Sequence, residues 1–307
     1  PTLDDIQRLY RWDALTPDTK VYGVIGHPIG HSMSPAIHNA AFDALGQQGE
    51  PYDGVYLPLP IPDAYEALKA TLLTWLDCDG LNFRGASVTI PHKANLLRFV
   101  AEQGGNVEPL AEQIGAANTL TVDDDGTLHA SNTDYAAILD ATCDTLGIDR
   151  AGLAGRKVAV LGAGGVARAI VAGFAAHGVD VTVLNRTLEK AEGLAASFGV
   201  RSAPLDEAPQ QTADVWINGT SVGMHPNIDA CPLATAPDSW NSGTIVFDTV
   251  YNPLRTTLLA LAEERGCRTI TGVDMFVRQA AAQFEGWTRR DAPNETMRRV
   301  VLDALRG

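Results

Sequence analysis

One stretch limits the fold more than any other. Lys157-Val158-Ala159-Val160-Leu161 is an apolar run of strand character, and Gly162-Ala163-Gly164-Gly165-Val166-Ala167 follows without a break. A helix of small residues then runs to about His177, and Val181-Thr182-Val183-Leu184 reads as the next strand. In a Gly-x-Gly-x-x-Ala turn between strand and helix, the first glycine permits the tight turn and the second lets the backbone approach a pyrophosphate. The helix start then offers unpaired N–H groups to that anion. The same glycines would also serve a tightly packed turn with no ligand, but the strand-turn-helix context of about 30 residues favours a dinucleotide.

The end of the second strand reads Asn185-Arg186-Thr187, where an NAD-selective site needs an acid for the ribose 2′-hydroxyl. A guanidinium there suits a 2′-phosphate, so NADP is favoured over NAD, although Arg186 taken alone also reads as a solvated surface arginine. Val215-Trp216-Ile217 and Thr244-Ile245-Val246-Phe247 continue the sheet. In the first third, Val21 to Gly26, Val55-Tyr56-Leu57 and Ser87-Val88-Thr89-Ile90 are strand signals. Helical stretches separate them, from Ser34 to about Leu45, from Ala64 to Trp75 and from about His92 to Val100. Ser34-Pro35 gives the first of these a serine N-cap and a proline at its first position. Strands alternating with helices argue for a mostly parallel sheet. The fold class is therefore α/β, an N-terminal α/β domain joined to a Rossmann-type doubly wound NADP-binding domain. The chain crosses into the second domain near Asn132 and returns near Gly272, which gives domains of 1–132 completed by C-terminal helices in 273–307, and 133–272. In the tail, Phe276, Ala280, Phe284 and Trp287 share one helix face.

A length of 307 residues accommodates two such domains. With 23 Lys and Arg against 37 Asp and Glu, the net charge of -14 opposes nucleic acid and anionic membrane surfaces as partners. An anionic small molecule must therefore be held by local groups. Cys78, Cys143, Cys231 and Cys267 lie far apart and the histidines lack metal-ligand spacing, so no metal is expected and a reducing, cytoplasmic compartment fits. No apolar run nears 18 residues and no signal-peptide pattern opens the chain. The chain starts at Pro1 without methionine, consistent either with processing or with excision from a longer polypeptide.

Several polar residues sit where chemistry needs them. Lys93 follows Thr89-Ile90-Pro91-His92 in the first turn of a helix, where a cation opposes the macrodipole, a placement that suits a group handing over a proton. Asp134 follows Asn132-Thr133 at the domain crossing. Alone, the lysine reads equally as a surface residue and the aspartate as the N-cap of the next helix. Ser32 and Ser34 precede a helix and can donate hydrogen bonds to a carboxylate; capping accounts for Ser34 but not Ser32. His27, His31, His38 and His92 have no partner fixed by sequence and read as structural or peripheral.

Taken together and in order, these motifs resemble the shikimate dehydrogenase family from about Val21 to Leu302. They begin with Gly23-Val24-Ile25-Gly26-His27-Pro28 and Ser32-Met33-Ser34-Pro35-Ala36-Ile37-His38-Asn39, then Val88-Thr89-Ile90-Pro91-His92-Lys93. Gly115-Ala116-Ala117-Asn118-Thr119, Asn132-Thr133-Asp134, the glycine loop and Asn185-Arg186-Thr187 come next. Asn218-Gly219-Thr220-Ser221-Val222-Gly223-Met224, Asp248-Thr249-Val250-Tyr251-Asn252-Pro253 and Gln279-Ala280 complete the set. The resemblance implies NADP-dependent, reversible reduction of 3-dehydroshikimate to shikimate, a step of aromatic amino-acid biosynthesis, with small-molecule partners. It makes Lys93 and Asp134 the catalytic dyad. Ser32, Ser34, Ser87, Thr89, Asn118, Tyr251 and Gln279 become substrate contacts of the first domain and its neighbours. Thr220, Ser221, Met224, Val250, Gly272 and Met275 join Gly162 to Ala167 and Asn185 to Thr187 as cofactor contacts.

Ser87 stands where the family usually has Asn, and with Tyr135 and Gly272-Val273-Asp274-Met275-Phe276 it resembles the dehydrogenase portion of the bifunctional dehydroquinate dehydratase–shikimate dehydrogenase type. The segment from Pro1 to Val21 resembles the connector of that type. Ile6, Leu9 and Tyr10 give it an apolar stripe with nothing in its own sequence to cover it, which fits packing against a neighbouring surface, such as that of a fused or neighbouring dehydratase domain. A quinate or mixed quinate/shikimate dehydrogenase shares every motif quoted. A non-catalytic NADP-binding sensor on the same fold predicts erosion of Lys93 or Asp134, and both are present.

Overall fold

The computed structural model describes residues 3–30, 32–49, 51–78 and 80–306. His31, one of the histidines read as peripheral, lies outside the described residues. The chain divides into two units, 1–133 with 279–307, and 134–278. The return crossing falls at Arg278 and Gln279, inside a helix that starts at Gly272, rather than at Gly272 itself. The first turns of that helix belong to the second unit because Met275 is packed into its core.

The first unit is built on a six-stranded sheet ordered β2-β1-β3-β5-β6-β4. Its strands are β1 (Lys20–Gly26), β2 (Gly54–Pro60), β3 (Phe83–Val88), β4 (Asn106–Val107), β5 (Thr119–Val122) and β6 (Leu128–Ser131). Five helices accompany them: α1 (Leu3–Tyr10), α2 (Ser34–Gln47), α3 (Tyr65–Leu76), α4 (Lys93–Glu102) and α5 (Pro109–Ile114). The β2, β1 and β3 strands are parallel, as expected. Beyond β3 the sheet is mixed, with β5 antiparallel to both β3 and β6 and β4 parallel to β6, so three of its five pairings are parallel. The reversal from β5 to β6 comes from a short loop over Asp123 to Thr127, with Gly126 at φ 84° and Thr127 N–H held by Asp125 Oδ1 at 2.9 Å. A loop that short makes a hairpin and leaves no length for a crossover helix.

Pro58 and Pro60 are accommodated in β2 because it is an edge strand. Ile25, Leu68, Leu72, Phe99 and Leu120 are all fully buried in one cluster of the unit's core. The stripe of α1 is covered by the unit itself: α1 packs against α2 and β2, and Ile6, Leu9 and Tyr10 are half-buried. This corrects the expectation that they pack against a surface outside the unit.

The second unit holds a fully parallel sheet ordered β12-β11-β10-β7-β8-β9. Its strands are β7 (Lys157–Leu161), β8 (Asp180–Asn185), β9 (Arg201–Pro204), β10 (Val215–Asn218), β11 (Ile245–Asp248) and β12 (Arg268–Ile270). The helices are α6 (Thr133–Leu146), α7 (Gly165–Ala175), α8 (Leu188–Phe198), α9 (Thr257–Glu264) and α10 (Gly272–Thr288). Every residue of β10 and β11 is buried, as a parallel strand covered on both faces requires. Val158, Val160 and Ile217 point into one core, Ala159, Leu161 and Trp216 into the other. Strand order reverses between β7 and β10, the switch point at which a doubly wound sheet opens a crevice.

The last helix, α11 (Asn294–Arg306), packs on α2 in the first unit. The Gln279 end of α10 docks there too, with Trp287 Nε1 donating to Leu120 O at 2.9 Å. A side chain at Gly85 would stand 2.6 Å from Trp287 Nε1, so the glycine makes room for the indole. Among the described residues no helix is long and apolar enough to cross a membrane.

Candidate active site

In the first unit the candidates gather at the carboxyl ends of β1 and β3. Thr89 N–H donates to Ile25 O at 2.8 Å and His27 N–H to Ile90 O at 3.0 Å, which staples the two loops together. β3 ends at Val88, so Thr89 leaves the sheet rather than continuing the strand. The serines do not cap as expected. Ser34 is the first residue of α2 with Met33 at the cap position, and Ser32 Oγ accepts the Ser34 N–H at 3.3 Å. The hydroxyl spare in the sequence is the one that serves the helix start. Ser87 is buried, and its Oγ shares a short hydrogen bond with the Tyr56 hydroxyl.

Asn118 lies beside them at the start of β5, its carbonyl accepting from Val88 N–H at 2.7 Å. Its Oδ1 accepts from Thr133 N–H at 2.8 Å and Thr119 Oγ1 at 2.8 Å, while Nδ2 donates to Gln279 Oε1 at 3.3 Å. Lys93 is half-buried in the first turn of α4, and its carbonyl accepts from Ala117 N–H at 3.0 Å. Ser32, Ser34, Ser87, Thr89, Lys93, Asn118 and Gln279 are thus brought to one end of one sheet. Sequence reasoning missed two participants. Tyr56 reads as an ordinary strand aromatic, and Gln283, one turn beyond Gln279, donates to Thr119 Oγ1 at 3.0 Å.

Asp134 is the first residue of the second unit, buried at 5% exposure within the first turn of α6 rather than at its cap. The cofactor candidates line the carboxyl ends of β7, β8, β10, β11 and β12. Gly162 has φ 105°, and Gly164 and Gly165 are exposed with nothing within 4 Å of where a side chain would begin. Helix α7 starts there with no side-chain cap, so its first N–H groups face that open backbone. The loop therefore fits a pyrophosphate. Ala163 and Val166 are half-buried, and Ala167 is fully buried beneath Gly219. Asn185 Nδ2 donates to Thr187 O at 2.8 Å and shapes the next loop, while Arg186 is exposed and makes no ion pair with any described residue.

Beyond β10, Asn218 Oδ1 accepts from Thr220 N–H at 3.0 Å and Thr220 Oγ1 at 2.7 Å, leaving Ser221 and Met224 exposed. Asp248 is fully buried, and its oxygens accept from Asn218 Nδ2 at 2.9 Å, Val250 N–H at 3.0 Å and Thr256 Oγ1 at 2.6 Å. Burial pushes its carboxyl upward against those three bonds. One carboxylate thereby ties together the loops carrying Thr220 and Val250, a role the sequence did not reveal. The Tyr251 ring stacks on Phe276 at 5.0 Å, and burial raises its phenol. Gly272 is required, because a side chain there would run into the Val250 carbonyl. Met275 is buried at 8% exposure and packs with the core of the unit.

Comparison with known proteins decides the family. Profiles described as shikimate dehydrogenase substrate binding domain, shikimate / quinate 5-dehydrogenase and shikimate 5′-dehydrogenase C-terminal domain match residues 24–120, 146–248 and 272–302. A shikimate dehydrogenase (NADP(+)) of Methanosarcina mazei is 41% identical over 298 residues, 93% of this chain and 99% of that protein. The chain belongs to the shikimate dehydrogenase family. The chloroplastic bifunctional 3-dehydroquinate dehydratase/shikimate dehydrogenase of Arabidopsis thaliana is 38% identical over 310 residues, 96% of this chain and 48% of that protein. Among solved structures, the shikimate 5-dehydrogenase of Thermus thermophilus in complex with NADP(H) and shikimate is 33% identical with a TM-score of 0.79, over 94% of this chain and 100% of that one. Within the shikimate dehydrogenase match, the first stretch contains Ser32, Ser34, Ser87, Thr89, Lys93 and Asn118. The second contains the glycine loop, Arg186 and Thr220, and the third Gly272 and Gln279. Asp134, Val250 and Tyr251 lie outside all three.

Proposed function

We propose that this chain is an NADP-dependent shikimate dehydrogenase, an oxidoreductase interconverting 3-dehydroshikimate and shikimate. The observation that carries the reading is the convergence of Ser32, Ser34, Ser87, Asn118 and Gln279 at one sheet end, with Lys93 opening α4 beside them. Hydroxyls and amides there match a ligand with one carboxylate and several ring hydroxyls, and neutral donors suffice for its charge.

When bound, the nicotinamide supplies the hydride in reduction and takes it up in oxidation. The protein does the rest. Ser32 and Ser34 hold the carboxylate, the Ser87 hydroxyl and the Asn118 and Gln279 amides orient the ring, and Tyr251 with Thr89 completes the contacts. Lys93 donates a proton to the ketone oxygen as it becomes a hydroxyl and accepts it in the reverse direction. Asp134 is the carboxylate of the pair and accepts a hydrogen bond from a substrate hydroxyl. Gly162 to Ala167 hold the pyrophosphate of NADP, and Asn185, Arg186 and Thr187 its 2′-phosphate. Thr220, Ser221, Met224, Val250, Gly272 and Met275 shape the remainder of that seat.

The place of the reaction is chorismate and aromatic amino-acid biosynthesis in the cytoplasm, and the four cysteines, all free, fit a reducing compartment. A dehydroquinate dehydratase segment joined to or working beside this chain is a second, separate reading: the Arabidopsis protein, matched over 48% of its length, is named for both activities, whereas the Methanosarcina mazei shikimate dehydrogenase is matched over 99% of its length. A start codon immediately before Pro1 in the reading frame would reject fusion, and a dehydratase-like stretch there would establish it. The assignment itself is tested by steady-state rates on shikimate and quinate with NADP and NAD. Shikimate with NADP is expected to be the best pair; quinate turned over as well or better would replace this reading with a mixed quinate/shikimate dehydrogenase.

A further inference from the structure

The Tyr56 hydroxyl is fully buried. It shares a hydrogen bond with Ser87 Oγ. A single buried phenol is therefore bonded to the serine assigned to the substrate ring.

Its position is fixed from several sides. β2 is an edge strand, and on its open edge the Asn39 side chain completes the ladder: Nδ2 donates to Tyr56 O at 2.9 Å and Oδ1 accepts from Tyr56 N–H at 2.9 Å. The ring stacks on His38 at 4.4 Å with an interplanar angle of 15°. Burial holds that imidazole neutral, its pKa down to about 3, so no charge competes for the phenol.

Proton counting then sets the direction of the bonds. A buried hydroxyl must place its proton on an acceptor, and each serine has one proton of its own. Ser87 Oγ is the acceptor bonded to the phenol, so the phenol donates to it and the Ser87 proton is left to point at the ligand.

We propose that Tyr56 is a positioning residue for substrate binding, fixing the Ser87 hydroxyl as a donor to a substrate ring oxygen. This rests on the assignment of Ser87 to the shikimate seat. It makes Ser87 specific for an acceptor oxygen, where an unrestrained serine would accept or donate with little preference.

The test is Tyr56→Phe, which keeps the ring and its stack on His38, measured beside Ser87→Ala and the double variant. One net hydrogen bond is worth about 0.5–1.5 kcal/mol, so the shikimate KM should rise roughly 2- to 13-fold. The kcat should change less, and the NADP KM should not change. In the Ser87→Ala background, Tyr56→Phe should add little, because the hydroxyl it acts through is gone. Tyr56→Met fills similar space and should give the same pattern, which keeps the test open if phenylalanine destabilises the fold. An unchanged shikimate KM, effects that multiply in the double variant, or an equal rise in the NADP KM would overturn the proposal. A wild-type protein inert towards shikimate would instead overturn the functional reading.

Discussion

A methyl group on Gly162 would stand 2.5 Å from Cγ2 of Thr220, so the loop after β7 and the loop after β10 meet with no space for a side chain between them. That contact lies at the point where strand order reverses in the second sheet.

Gly162→Ala is therefore expected to damage cofactor binding selectively. At φ 105° an L residue is strained by about 1–2 kcal/mol before the clash is counted. The NADP KM should rise about tenfold or more, with the shikimate KM changed far less. Equal losses for both ligands would indicate general unfolding instead.

Arg186 should set cofactor preference. It is exposed, and a charge-assisted hydrogen bond to phosphate is worth about 1.5–3 kcal/mol. Arg186→Ala should cut the ratio of kcat/KM for NADP over NAD by roughly 10- to 100-fold. The wild type should already show that preference, and comparable efficiencies with both cofactors would contradict the assignment.

Asp248 gives a pH signature. Burial raises its carboxyl in the folded state, so the native form holds its proton at a pH where the unfolded chain has released it. Stability from this group is present below the unfolded pKa and is lost as pH rises through the folded one. Asp248→Asn should remove that dependence while keeping most of the bonds to Asn218, Val250 and Thr256. The wild type should therefore lose stability relative to the variant on going from acid towards neutral pH, and thermal melts across that range would show it. A difference that stayed constant or reversed sign would rule it out.

Different parts of the molecule were legible to different degrees. The glycine loop could be read because a pyrophosphate seat between strand and helix tolerates few residues, and the all-parallel second sheet followed from its unbroken apolar runs. The hairpin of β5 and β6 was missed although Asp123 to Thr127 carries a turn signal, because two four-residue strands hardly register beside long helices. Tyr56 looked like any strand aromatic, and only the fold sets Ser87 against its hydroxyl. Asp248 likewise looked like a motif residue without a task, since its partners Asn218 and Thr256 come from separate loops. The stripe of Ile6, Leu9 and Tyr10 misled because the surface that covers it, on α2, lies far along the chain. Local geometry leaves its mark in sequence, whereas contacts that depend on chain return do not.

The most direct measurement compares the pure wild-type chain with Lys93→Ala, each given shikimate and NADP. The wild type should form 3-dehydroshikimate and NADPH one for one. Removing the amine deletes a proton-transfer group that acts in the transition state, so kcat should fall about 10²- to 10⁴-fold with a much smaller change in the shikimate KM. A wild type that leaves shikimate untouched, or a variant that keeps its rate and loses only affinity, would contradict the account.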